Sequence, residues 1–166
     1  MAEYKYSFQN FNKELMSRAV GRDLEISPKQ AIEICNYLRH RKLQQAKSTL
    51  ERVLEMKQAI PFRRFTNGLG HRAGKMSSGR YPIKTSTAIL KLLESVEANA
   101  QTKGLNTGEL EIVHISTQRA AAPMHYGRHH GMKFKRAHVE IVVQETAKKA
   151  DKDEKKEKPK KEKQAK

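Results

Sequence analysis

His138-Val139-Glu140-Ile141-Val142-Val143-Gln144-Glu145 decides the fold. Val139, Ile141 and Val143 alternate with polar neighbours, which is the period of a half-buried strand. Such a strand needs a partner. Leu110 to Ser116 is apolar and β-branched enough to supply one, and Tyr4-Lys5-Tyr6-Ser7-Phe8 offers a short third. The helical sequence lies between that opening and the two later strands. Segregation of this kind predicts an α+β fold, with three helices packed on a small antiparallel sheet.

The helices read from their stripes and ends. Ser27-Pro28-Lys29-Gln30 has the form of a capping box with proline at the first helical position. Ala31, Ile32, Ile34, Cys35 and Leu38 follow at helical spacing. A second helix follows Arg41, carries Leu43, Ala46, Leu50, Val53 and Leu54, and should end before Pro61. A third should start near Thr85 or Ser86, carry Ile89, Leu92, Leu93, Val96 and Ala100, and stop at Gly104.

The stretch between the two late strands is anomalous. If Ile112 to Val143 were one hairpin with its tip near Met124 to Gly127, each arm would have about 14 residues and span about 45 Å. A body of about 120 residues has a radius of gyration of only about 14 Å. The distal sequence, Ser116-Thr117-Gln118-Arg119-Ala120-Ala121-Ala122-Pro123-Met124-His125-Tyr126-Gly127-Arg128-His129-His130-Gly131, has no alternating apolar face. It cannot make a core of its own, and an isolated ribbon is marginal in water. The reading predicts a long protruding β-hairpin, about residues 110–145, that takes its order from a partner.

Charge points to the kind of partner. Met56 to Leu93 contains no acid, and neither does Ile112 to Val139. The first stretch holds Lys57, Arg63, Arg64, Arg72, Lys75, Arg80, Lys84 and Lys91. The second holds Arg119, Arg128, Lys133, Lys135 and Arg136. A surface that only needs solubility mixes both signs. Single-sign stretches suit a polyanion, because each neutralised phosphate releases condensed counterions. The whole chain, 166 residues at a formal +16, fits one domain and a tail, with nucleic acid the first candidate partner and an anionic membrane the second. The tail from Ala147 to Lys166 has ten lysines, five acids and no aromatic or β-branched residue, so disorder or a frayed helix is expected there. Its net +5 leaves +11 on residues 1–146.

Other function classes fare poorly. No stretch approaches the roughly 20 apolar residues of a membrane helix. With nucleic acid preferred, no membrane partner is expected. Met1-Ala2-Glu3-Tyr4-Lys5 lacks the apolar run of a signal peptide. The single cysteine, Cys35, forms no internal disulfide and points to a reducing, cytoplasmic setting. It sits among apolar neighbours, where a core residue is far commoner than a nucleophile. Asn67-Gly68-Leu69-Gly70-His71-Arg72-Ala73-Gly74-Lys75 fails as a nucleotide phosphate loop. Leu69 stands where the first glycine belongs, Met76 where magnesium needs a hydroxyl, and no strand precedes it. Contact with an RNA backbone is the preferred reading of this loop. His125, His129, His130 and His138 lack a cysteine or carboxylate among them, and their cationic neighbours would repel a divalent ion. Stacking and hydrogen bonding to RNA, with Tyr126 and Phe134 as further surfaces, suits them better than a metal. No catalytic constellation is legible, and no cofactor is expected.

Four stretches carry a family likeness: ISPKQAIEICNYLRHRKLQQAKSTLERVL, PFRRFTNGLGHRAGK, EANAQTKGL and GRHHGMKFKRAHVEIVVQE. From about Tyr4 to Glu145 the chain resembles an archaeal-type member of the universal large-subunit ribosomal protein family numbered twenty-two in bacteria and seventeen in eukaryotes. The family's C-terminal motif is matched by Gly127-Arg128 and by His138-Val139-Glu140-Ile141; His125 departs, standing where a small residue is usual. The resemblance implies a structural component that binds large-subunit rRNA and supports its assembly. It also implies a hairpin that lines part of the nascent-peptide exit tunnel, near ribosomal protein four and in reach of the nascent peptide.

The candidate rRNA contacts are Arg18, Arg22, Arg63, Arg64, Arg72, Lys75, Arg80 and Arg119, with His125, Arg128, His129, His130, Lys133, Lys135 and Arg136. Pro123, Met124, His125, Tyr126 and Gly127 are the candidate tunnel-lining residues. Two rivals stand against this reading. One is a free RNA- or DNA-binding regulator or chaperone, and the other a nuclease using the histidines.

Overall fold

The computed structural model describes residues 4–146. Its order is β1 (Met16–Leu24), α1 (Pro28–Leu38), α2 (Leu43–Leu54), β2 (Ile60–Pro61), β3 (Gly79–Arg80), α3 (Ile83–Thr102), β4 (Leu110–Arg119) and β5 (Ala137–Glu145). Short 3-10 turns stand at Thr107–Glu109 and Gly127–His129. The fold is α+β: β1, β5 and β4 form an antiparallel sheet with β5 in the middle, and the helices cover one face. The expected tail lies outside the described residues.

The strand β1 is absent from the sequence reading, and its partner side explains why. Ser17 lies opposite Val143, Ala19 opposite Ile141 and Gly21 opposite Val139, so its inward residues are all small. They are small because α3 lies close against them. The Ser17 hydroxyl donates to the Val96 carbonyl at 3.3 Å. A Cβ on Gly21 would come within 2.8 Å of both Leu92 and Leu24 side chains. A strand whose buried face is serine, alanine and glycine carries no apolar alternation to detect.

Residues 4–8 are not a strand. They cross the outer face of β5 as irregular chain and bury it. The Tyr4 hydroxyl donates to Glu140 at 2.6 Å, and the Ser7 amide and hydroxyl donate to the same carboxylate at 2.9 and 2.6 Å. That cover explains a second departure. Val139 to Val143 is buried at every position, where alternation predicts one dry face and one wet.

The helices fall where expected, with local differences. Ser27 occupies the N-cap position of α1 and Pro28 the first helical position, but no side-chain cap bond forms. Gln30 instead accepts from the Thr85 hydroxyl at 3.1 Å, tying α1 to α3. Ile32 is only half-buried, whereas Glu33 is 2% exposed. The third helix starts at Ile83, earlier than Thr85, because the Pro82 carbonyl already accepts from the Ser86 amide at 2.9 Å. Gly104, at φ +75°, reverses the chain after it, as expected. Between α1 and α2 the His40 amide donates to Ile112 and the Ile112 amide to Arg41, at 3.0 and 2.9 Å, so this link covers the outer edge of β4.

The regular ladder between β4 and β5 runs from Leu110–Glu145 to Arg119–Ala137, with one bulge between Ile112 and His114. Beyond Arg119 the pairing is sparse: one isolated bridge, Met124–Lys133, and single bonds such as Phe134 to Pro123 and His125 to Met132. Continuous arms of about 14 residues are not formed. Without an apolar face to bury, residues 120–136 have nothing to hold a longer ladder.

Candidate nucleic-acid interface

The first acid-free stretch owes its shape to Glu33. A carboxylate on the buried side of a helix is costly unless its oxygens are satisfied. Here three consecutive amides satisfy it: Arg63 at 3.1 Å, Arg64 at 2.7 Å and Phe65 at 2.8 Å. The chain then loops out and returns through the short β2–β3 ladder, Ile60 with Arg80 and Pro61 with Gly79. The buried Ser78 hydroxyl bonds the Phe62 carbonyl at 3.0 Å. Gly79 fits because a Cβ there would meet Met76 sulfur at 2.8 Å. The loop is closed and pinned at its root, and Arg63, Arg64, Arg72, Lys75 and Arg80 all stand exposed on it. Arg72 also packs: its guanidinium lies 5.4 Å from the Tyr81 ring and its Nε donates to the Gly79 carbonyl at 3.4 Å.

The second acid-free stretch leaves the end of β4 and returns to β5. Arg119, Arg128, His129, His130, Lys133 and Lys135 are exposed, and Arg136 is half-buried, 3.9 Å from Glu25. The Nε of Arg136 is buried without a hydrogen-bond partner. His125 stacks on Phe134 with ring centroids 3.5 Å apart, so each ring takes one face of the other. His130 Nδ1 lies 2.9 Å from the Gly127 carbonyl, and Arg128 bonds His129 at 3.4 Å. His138 is elsewhere: its Nδ1 accepts from the Asp23 amide at 3.0 Å. Pro123, Met124, Tyr126 and Gly127 are exposed at the far end, Tyr126 almost fully.

The two stretches are separated in sequence by the second half of α3 and the start of β4, yet the fold brings them together. Their roots meet at the start of α1, where two adjoining hollows share Ser27, Lys29 and Lys135. One hollow adds Arg64, Arg80 and Phe65; the other adds Arg119, Lys133 and Arg136. No acid lines either of them. The uncapped first turn of α1 opens on the same place, and its free amides add partial positive charge. Arg63 and Lys75 lie instead in a groove beside Tyr37 and Met76. Adjacent arginines therefore serve two sides of the loop.

Arg18 and Arg22 lie apart on β1. Arg22 is exposed. Arg18 is packed between Tyr6 and Phe11, 4.3 and 4.6 Å from their ring centres, so it holds the N-terminal segment as well as presenting charge. Sequence reasoning missed Lys29, Glu33 and Phe65. Lys29 was within reach, as an exposed cation in the first turn of an identified helix. Glu33 was not, since a glutamate beside an apolar stripe reads as solvated.

The rest of the chemistry is inert. Cys35 is buried, its sulfur 3.0 Å from the Thr117 hydroxyl, and burial pushes its thiol up to about 11, where a thiolate is scarce at neutral pH. Among the described residues no three His, Cys, Asp or Glu side chains are grouped to hold a metal. No helix among them is long and apolar enough to cross a membrane.

Fold and charge together define a small basic α+β domain with a cationic cleft between two loops. Residues 19–144, β1 to β5, match the family model described as Ribosomal protein L22p/L17e. The large ribosomal subunit protein uL22 of Methanocaldococcus jannaschii is 40% identical over 152 residues, covering 87% of this chain and 97% of that one. Those of Methanosphaera stadtmanae and Methanoregula boonei are 38% and 37% identical, covering 84% and 89% of this chain and 96% and 100% of theirs. The chain belongs to the Ribosomal protein L22p/L17e family, and these three relatives are archaeal.

Proposed function

We propose that the chain binds large-subunit rRNA through the cleft at the start of α1 and the two loops that form it. As a member of its family it is a cytoplasmic, structural component of the large ribosomal subunit and not an enzyme. The observation that carries the finer reading is the convergence of the two acid-free stretches on Lys29 and Lys135. Charges far apart in sequence meet on one surface, as contact with a continuous phosphate backbone requires. Residues 1–146 are the RNA-binding domain, and the lysine-rich tail adds diffuse attraction. Bound between rRNA segments, the loops support subunit assembly. Residues 120–136 extend from the sheet toward the exit tunnel, near protein four, and Pro123 to Gly127 form a passive stretch of wall facing the nascent peptide.

Two experiments test this. The endogenous protein should co-sediment with large subunits after a high-salt wash; its release as free protein would favour a regulator or chaperone. Deleting Ala122 to Arg128 should leave subunits assembled but alter stalling on sensitive nascent peptides. Failure to assemble would make the tip an anchor rather than a wall.

A further inference from the structure

We propose that the cleft at the start of α1 seats an unpaired nucleotide of RNA, with its phosphate among the cations and its base on the Phe65 ring. The inference rests on the rRNA-binding reading and names the form of RNA that the site takes. Cations alone would suit any phosphate backbone. This cleft also puts an aromatic ring among them. Phe65 is partly exposed, lines the hollow, and has the Lys29 ammonium 5.6 Å and the Arg64 guanidinium 5.4 Å from its centre.

A duplex shows a protein its phosphates and ribose hydroxyls and keeps its base faces stacked inside. A ring between cations gains nothing from it. An unpaired nucleotide shows both a charge and a flat base face, and cation-flanked rings bind those together.

The ring is also held where it is. Its amide is one of the three bonded to Glu33, at 2.8 Å, so the backbone under it is tied to α1. Glu33 fills the turn of amides that an outside anion would otherwise use, which leaves the phosphate to the side chains. Thr66 and Asn67 line the same hollow beside the ring and present groups able to pair with a base edge. Phe134, across Lys135, has one face taken by His125, whereas the groups near the faces of Phe65 are the two cations.

Fluorescence anisotropy on the full chain tests this, with a labelled single-stranded RNA octamer and a labelled blunt RNA duplex at one salt concentration. The single strand should bind more tightly. Phe65→Leu keeps apolar bulk and removes the flat face; it should weaken single-strand binding roughly 5- to 100-fold and leave the duplex nearly unchanged. Phe65→Tyr should retain the preference, which separates loss of stacking from misfolding. Lys135→Gln should weaken both RNAs and lower the salt slope by about 0.7–0.9. Equal binding of single strand and duplex, or a preference untouched by Phe65→Leu, overturns the inference and leaves the rRNA-binding reading standing. Absence of any RNA binding by the folded chain overturns both.

Discussion

Between Ile60 and Arg80 the chain is pinned at its root by a buried carboxylate, a two-residue ladder and a buried serine. Between Arg119 and Ala137 it is held by isolated backbone bonds and one ring stack. Both stretches are basic and acid-free, so composition does not tell them apart. What differs is the anchoring. A pinned loop presents its cations at fixed spacing, whereas a loosely tied one can adjust to the surface it meets. The first is built to be recognised by position and the second to conform.

The comparison breaks most readily at Glu33. Glu33→Ala would strand three amides that now donate to a carboxylate, and should cost about 3 kcal/mol. Chemical denaturation measures it. A cost under about 1 kcal/mol would mean the loop is held by something other than that carboxylate.

A second device of the same kind sits on the opposite face of the sheet. Burial pushes the Glu140 carboxyl up, but the bonds from Ser7 and Tyr4 outweigh burial, and the net position is below its ordinary 4.5. The sign follows. A depressed carboxyl stabilises the fold above pH 4.5 and loses that contribution as the pH falls through its lowered folded value. Tyr4 runs the other way: burial first, then its bond to Glu140, push its hydroxyl up to about 12. Its contribution is full below pH 10 and is lost as the pH rises through about 12. Residues 4–8 should therefore leave the sheet at both extremes, and Glu140→Gln should loosen them at neutral pH at a cost of about 1–2 kcal/mol. Exchange of the Ser7 amide reports it; fast exchange at neutral pH in the unmodified protein would contradict the clasp.

Neutralising Arg63, Arg64 and Arg72 together should lower the salt slope of rRNA binding by about 2–3 and shift the melting temperature little. These side chains are exposed, so no cavity opens. A lowered melting temperature with an unchanged slope would assign the loop to the fold. The smallest effect sharpens the contrast directly. Amide relaxation on the free protein should find residues 119–135 more mobile than residues 63–80 and quiet them once rRNA is bound. Rigid signals throughout Arg119 to Lys135 would erase the distinction.

The legible parts were those with local signals: three amphipathic helices, two β-branched strands, and two gaps in the acids. Glycine at 104 and proline at 28 marked ends that the structure keeps. What stayed hidden was long-range. Gly21 is small for Leu92, Glu33 is buried for the amides of Arg63 to Phe65, and Glu140 is buried for Ser7 and Tyr4. Each of these residues is chosen by a partner between about 30 and 130 positions away, which no window of local periodicity contains. The family resemblance named the class of partner, but it did not show that the two basic stretches share Lys29 and Lys135.

The position of β5 in the sheet has a consequence for how the protein is made. Met16 pairs with Gln144 and Leu110 with Glu145, so both outer strands depend on the last one synthesised. At about 5–20 residues per second, β1 waits on the order of ten seconds after it is made before β5, its neighbour in the sheet, exists. Until then it has nothing to pair with, and Glu140 is not there to receive Tyr4 and Ser7. Contacts of such sequence separation form slowly, because a long loop must close before they give anything back. The sheet of a nascent chain thus cannot form until β5 has been made. Through that interval the young protein exposes an unpaired strand, and its safety depends on how soon β5 arrives.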